Sequence, residues 1–190
     1  VRSTGIRQRF RLILLLLLVM LTVHLANAML GGALHRFGIA PRVYGDWWHI
    51  YSAPFLHGDW AHLLNNLSGL AIFSAFCLIR SIGFYLAASL FIITVTGLLV
   101  FFFARPALHI GASGWIFGLW SLSIAMAWFD RSGKHLVIAA LVCLLYGGMI
   151  HGILPAHPGV SFESHLFGAA SGVLFVYGFR YWSSWRRRKR

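Results

Sequence analysis

Long apolar blocks, broken by short polar or basic joints, dominate this chain. Six of them approach membrane-spanning length: about Leu12 to Leu30, Ala61 to Ile79, Ile82 to Phe103, Ala112 to Phe129, His135 to Ile153, and Ser164 to Tyr181. Blocks of about 18–20 mostly apolar residues are read as transmembrane helices. The apolar positions fill these blocks instead of forming one amphipathic stripe. The pattern predicts an all-α, polytopic membrane protein of one domain, residues 1–190, with a basic tail at 182–190.

Composition sharpens the reading. Of 190 residues, 59% are hydrophobic and 11% are charged, where a soluble domain carries about 25% charged residues. The formal net charge of +12 raises nucleic acid as a partner, but the basic residues flank apolar blocks. That placement follows the positive-inside rule, so the lipid bilayer is the expected partner and nucleic acid is not. Arg2, Arg7, Arg9 and Arg11 set the amino terminus in the cytoplasm. Arg80, Arg131, Lys134, Arg180 and the tail Arg186 to Arg190 then fall on the same side, and six spans leave both termini cytoplasmic. The first block also has a signal-peptide look, with Ala26-Asn27-Ala28 resembling a cleavage site. Its length favours a retained helix.

The loop from about Gly31 to Trp60 carries Trp47, Trp48, Tyr51, Phe55 and Trp60, side chains that favour the membrane interface. Cys77 and Cys143 both fall inside apolar blocks and form no disulfide or zinc pattern. There is no H-E-x-x-H sequence, and His24, His109, His135, His151 and His157 read as packing or interfacial residues. No metal and no cofactor is expected.

Polar residues cluster at the starts of three spans that enter from the outer face. Span two opens with His62 and carries Asn66 four residues later, on the same helix face. Span four opens with Ser113 after Gly111-Ala112, and span six with His165. All four therefore lie at similar depth. Gly114 and Gly118, and Gly168 and Gly172, form small-xxx-small pairs that let spans four and six approach closely. A direct Ser113–His165 hydrogen bond needs that approach. The pattern suits nucleophilic acyl transfer, with His165 as base toward Ser113 and without a carboxylate in the spans. The backbone N–H of Ser113, the Asn66 amide and the His62 ring are candidate oxyanion donors.

These residues resemble the motifs of the rhomboid intramembrane serine proteases. Gly111-Ala112-Ser113-Gly114 is similar to the G-x-S-G nucleophile motif. His165-Leu166-Phe167-Gly168, with Gly172, is similar to H-x-x-G-x-x-x-G, and His62 to Asn66 is similar to H-x-x-x-N. The likeness covers about Trp47 to Gly178. It implies a six-helix rhomboid-like bundle, a Ser113–His165 dyad reached by water, and single-span membrane proteins as substrates. It implies substrate-stabilising roles for His62, Asn66, Gly111 and Ala112, and the compact form suggests a bacterial inner membrane. Two departures stand out. His49 follows Trp48 where the family often has arginine, and Phe117 stands where many members have a tyrosine that stacks on the histidine. The segment His157 to Phe162 is expected to cap the site as a mobile lid. The rivals are a catalytically silent rhomboid-like protein that binds membrane helices, and a small transporter or channel. Intact Ser113 and His165 oppose the first. The absence of mid-membrane charge opposes the second.

Overall fold

The computed structural model describes residues 5–130, 132–155 and 159–188, of which 130 and 182–188 are described by their backbone alone. Arg2, Arg131, His157, Pro158 and Lys189-Arg190 lie outside the described residues, as do the remaining side chains of the basic tail. The described part of the expected lid is therefore Gly159 to Phe162.

Six α-helices form the described fold: α1 (Ile6–Met29), α2 (Trp60–Leu78), α3 (Ile82–Phe103), α4 (Ser113–Asp130), α5 (Gly133–Tyr146) and α6 (Phe162–Arg188). α1, α2, α3 and the stretch Gly133–Ile153 are long and apolar enough to cross a membrane, and α4 is a shorter apolar helix. The protein is a polytopic helical membrane protein.

Local chemistry sets most boundaries. Asp59 starts α2 by accepting the His62 backbone N–H at 2.7 Å, and Ser81 starts α3 by accepting that of Phe84 at 3.1 Å. α1 begins six residues before the expected Leu12, because arginine is a good helix former and the chain has no breaker between Gly5 and the apolar block. α6 runs on through the first part of the basic tail for the same reason. The fifth span departs from expectation in the other direction. Its α-helix stops at Tyr146 and tightens into a 3-10 helix, Gly147–Ile153. The pair Gly147-Gly148 is the cause, since glycine is the poorest helix former after proline.

α4 is the axis of the bundle. Residues 114–123 are all buried, as befits a helix that is apolar around its whole circumference. It packs against α2, α3, α5 and α6. Toward α6 the contact is backbone on backbone. A methyl added at Gly168 would run into the Gly114 carbonyl, and one at Gly172 into the Gly118 carbonyl. Lipid supplies no hydrophobic drive between helices, so such close van der Waals contact is a main source of association. The Ser121 hydroxyl adds a bond across the seam, donating to the Ala169 carbonyl at 2.7 Å.

The segment between α1 and α2 is built from 3-10 helices, Ala33–Phe37, Tyr44–Ile50 and Ala53–Phe55. Its inner face, with Ile39, Ile50 and Ala53, packs on Val100, Phe101 and Ala104 at the end of α3. Tyr44, Trp47, Trp48 and Tyr51 remain exposed, the placement expected of an interfacial belt.

Candidate active site

The starts of α2, α4 and α6 meet at one cavity of about 680 Å³, lined by Ser113, His165, His62 and Asn66 together with Asp59, Asn65, Arg105, His109 and Ser161. Helix starts favour such a place. The first N–H groups of α4, those of Ser113, Gly114 and Trp115, have no partner inside the helix, and the helix dipole places partial positive charge there.

Ser113 is the first residue of α4. The turn before it depends on Gly111, whose φ is +108°, a region that L side chains avoid. Gly111 also lacks room for a side chain. A methyl there would lie 2.6 Å from His62 Cε1, so the His62 ring rests directly on the backbone that leads to Ser113. The turn is tied to the loop before α2 by the Gly111 N–H, which donates to the Ala53 carbonyl at 2.9 Å. Gly111 and Ala112 stand behind the cavity wall. Ala112 is completely buried, and Gly111 lines a small separate void of about 30 Å³ next to Trp115 and Ser164.

His165 lies in the first turn of α6 and is held from two sides. Its ring stacks on Phe117, with centroids 4.2 Å apart and planes within 6°. Its Nδ1 is 2.9 Å from the Gly152 carbonyl. A carbonyl oxygen only accepts, so Nδ1 carries the proton and Nε2 of the neutral ring is left with its lone pair. Gly152 is suited to this role, because a methyl there would meet Phe117 Cζ at 2.7 Å. Among the described residues Ser113 and His165 make no direct hydrogen bond. They share a cavity, with the histidine's other nitrogen already engaged, and catalytic bonds are often long or unaligned before substrate enters.

Asn66 is buried. Its Nδ2 donates to the His62 carbonyl at 2.7 Å, which fixes the amide orientation, because that carbonyl cannot donate. One amide hydrogen is then left unengaged. Asn65 lines the cavity too, so both asparagines of the pair border it.

Behind His62, the His57 ring is 1% exposed and meets His62 edge to face at 5.0 Å. Both His57 ring nitrogens are buried without a well-formed hydrogen bond. Burial, with His62 alongside, lowers the His57 pKa to about 4, so this ring stays neutral at neutral pH. His24 of α1 is buried against Trp60 with ring centroids 4.7 Å apart. Among the described residues no group of three His, Cys, Asp or Glu is arranged to hold a metal ion.

Sequence reasoning gave no site role to Gly152, His109 or Arg105, and placed Ser161 only within the expected lid. Gly152 supplies the histidine's orienting carbonyl, and its signal was the Gly147-Gly148 break that turns the chain there. His109, Ser161 and Arg105 border the cavity through contacts far apart in sequence, for which no local pattern exists.

A model of the rhomboid domain matches residues 44–182. An uncharacterized protein of Mycobacterium tuberculosis is 31% identical over 164 residues, spanning 82% of this chain and 68% of the relative. An uncharacterized protein of Mycobacterium bovis matches over the same shares at the same identity. An uncharacterized protein of Mycobacterium leprae is 40% identical over 75 residues, 38% of this chain and 30% of the relative.

Proposed function

This chain belongs to the rhomboid family, and from that premise we propose that it is an intramembrane serine endopeptidase that cleaves single-span membrane proteins in or beside their transmembrane segments. The observation that carries the proposal is the shared cavity, in which Ser113 stands at a helix start and His165 has Nδ1 bonded to a carbonyl and Nε2 free. In this reading Ser113 Oγ attacks the scissile carbonyl carbon while its proton passes to His165 Nε2. The negative charge that develops on the carbonyl oxygen is met by the Ser113 backbone N–H, the spare Asn66 amide hydrogen and the His62 ring. When the C–N bond breaks, His165 gives the proton to the leaving amine. A water from the cavity then hydrolyses the acyl ester, and its proton restores the serine.

Phe117 keeps the stacking partner of His165 without a hydroxyl, so the histidine is oriented by an apolar ring and one carbonyl. Gly111 and Ala112 act through the backbone, by aiming Ser113. The setting proposed is a bacterial inner membrane with both termini in the cytoplasm. It is supported by the basic residues at both ends and by relatives from bacteria.

A second reading, a silent protein that binds membrane helices, is favoured by one observation: the missing direct bond between Ser113 and His165. Cleavage of a panel of single-span substrates in liposomes by wild type, Ser113→Ala and His165→Ala separates the two. Cutting by wild type that both substitutions abolish supports the protease. Cutting that survives Ser113→Ala removes Ser113 as nucleophile. No cutting, together with no labelling of Ser113 by a fluorophosphonate, supports the binder.

A further inference from the structure

The loop that delivers Ser113 and the helix that delivers His165 are fastened together outside the reacting groups by a directional chain of hydrogen bonds. His109 is 3% exposed, and its backbone pairs with Ile39 in both directions at 2.9 Å. Its Nε2 is 3.1 Å from the Arg105 carbonyl, which only accepts, so Nε2 carries the proton. In the neutral ring Nδ1 is then the acceptor, and the Ser161 hydroxyl, 2.6 Å away, donates to it. Ser161 immediately precedes α6. It accepts the Ser164 backbone N–H at 3.3 Å, and with its own proton committed it also accepts the Ser164 hydroxyl at 2.7 Å. The chain therefore runs one way, from Ser164 through Ser161 and His109 to Arg105. Such aligned chains reinforce one another.

Burial, the largest influence, lowers the His109 pKa. The Arg105 carbonyl and the Glu163 carboxylate pull it upward, and the Arg105 charge lowers it further. The net lowering favours the neutral form that the chain requires.

Capping α6 needs Ser161 alone; it does not need a histidine 52 residues away in sequence. His109 lies four residues before Ser113, and Ser161 four before His165. The contact therefore sits at the same remove from both reacting residues. We propose that His109 is a positioning residue: by accepting the Ser161 hydroxyl it sets the register of the Ser113 turn against the first turn of α6. The proposal rests on the reading of Ser113 and His165 as the reacting pair. A parallel tie between the same segments spares the fold when this bond is lost. Arg105 lies beside Glu163, with Nε 3.5 Å from Oε1, and its backbone N–H donates to the same oxygen at 3.3 Å.

The test uses the full chain in detergent, with Ser161→Ala, His109→Gln, His109→Asn and the Ser161→Ala/His109→Gln double variant. Asparagine keeps an acceptor near the position of Nδ1, and glutamine does not. Turnover of a cleaved substrate is expected to fall about tenfold in Ser161→Ala and His109→Gln, at unchanged KM. The double variant should be no worse than either single, and His109→Asn should restore most of the rate. Independent of cleavage, amide hydrogen exchange in residues 105–112 should rise when only Ser161 is changed. Additive losses, or exchange that rises around 160–165 alone, overturn the proposal. If wild type cuts nothing, the exchange result still decides the clamp, and only the protease reading falls.

Discussion

Alanine at Gly168 puts a methyl group where α4 and α6 touch backbone to backbone. The added carbon would lie 2.9 Å from the Gly114 carbonyl carbon and 3.1 Å from its Cα. Carbon atoms rest at about 3.5–4.0 Å, so the helices must part by roughly 0.5–1 Å. Forcing a methyl into packed structure costs about 1–3 kcal/mol. Alanine is also the better helix former, by about 0.8–1.0 kcal/mol, and that gain obscures a single measurement. Gly178 removes the ambiguity. It lies on the same helix, and a methyl there meets nothing within 4 Å. The helix-forming gain is common to Gly168→Ala and Gly178→Ala, so the difference between them isolates the seam. We expect Gly168→Ala to be less stable than Gly178→Ala by about 1–3 kcal/mol, read by tryptophan fluorescence during SDS titration. Gly168 is three residues beyond His165, and a displacement of about 1 Å at a reacting centre costs about 100-fold in rate. Cleavage by Gly168→Ala should fall about 10- to 100-fold, with Gly178→Ala unaffected. Equal stability of the two variants would refute the backbone contact as a source of association. Equal cleavage at unequal stability would refute its role in aligning the site.

Three further outcomes are expected. Phe117→Ala removes the ring stacked on His165 and should lower turnover about two- to tenfold, from an aromatic pair worth about 0.5–1.5 kcal/mol, whereas Phe117→Tyr keeps the rate; equal rates for all three would exclude an orienting role. Asn66→Ala should cut kcat about 100- to 1,000-fold at constant KM if its amide meets the oxyanion, and a rise in KM with constant kcat would assign it to uniform substrate binding instead. His57 has a folded pKa of about 4 against an unfolded value of about 6.5, so the unfolded chain takes up the proton first. The stabilising effect of its neutral form is complete above about pH 6.5 and is lost as pH falls toward 4. Thermal stability should therefore drop between pH 7 and pH 4.5, and less so in His57→Phe; an equal drop in both would remove His57 as the cause.

The bundle and the polar residues at its cavity were legible for different reasons. Apolar block length predicted helices because a chain in lipid must satisfy its backbone internally, and α3 has the predicted ends. Asp59 and Ser81 start α2 and α3 by capping chemistry that block length alone does not read. The neighbourhood of His62, Asn66, Ser113 and His165 followed from counting spans and placing basic residues, with no knowledge of packing. The division of the fifth span was also written in the chain, as Gly147-Gly148, but block hydropathy averages over a local break. The Gly152 carbonyl that orients His165 comes from the 3-10 turn after that break, so missing the turn meant missing the partner. His109 and Ser161 were opaque for a deeper reason. Each is an ordinary polar residue in a loop, and their pairing is set by the way α6 docks beside α4.

The length of α4 links the fold to the chemistry. Its 18 residues rise about 27 Å at 1.5 Å each, and the 22 residues of α3 rise about 33 Å. A hydrocarbon core is about 30 Å thick. α3 can cross such a core unaided, whereas α4 falls short of it. The segment between α3 and α4 turns at Gly111, two residues before α4 begins at Ser113. The glycines of the α4–α6 seam draw the two backbones together beside the site. On this geometry, insertion of one helical turn at the start of α4 would carry Ser113 out of reach of His165. The same insertion at the other end of α4, near Trp128, leaves the cavity residues in register, so cleavage should survive there and vanish at the first position. Loss of cleavage from both insertions, with both proteins folded by circular dichroism, would show that the position of the α4 start is not what makes the site.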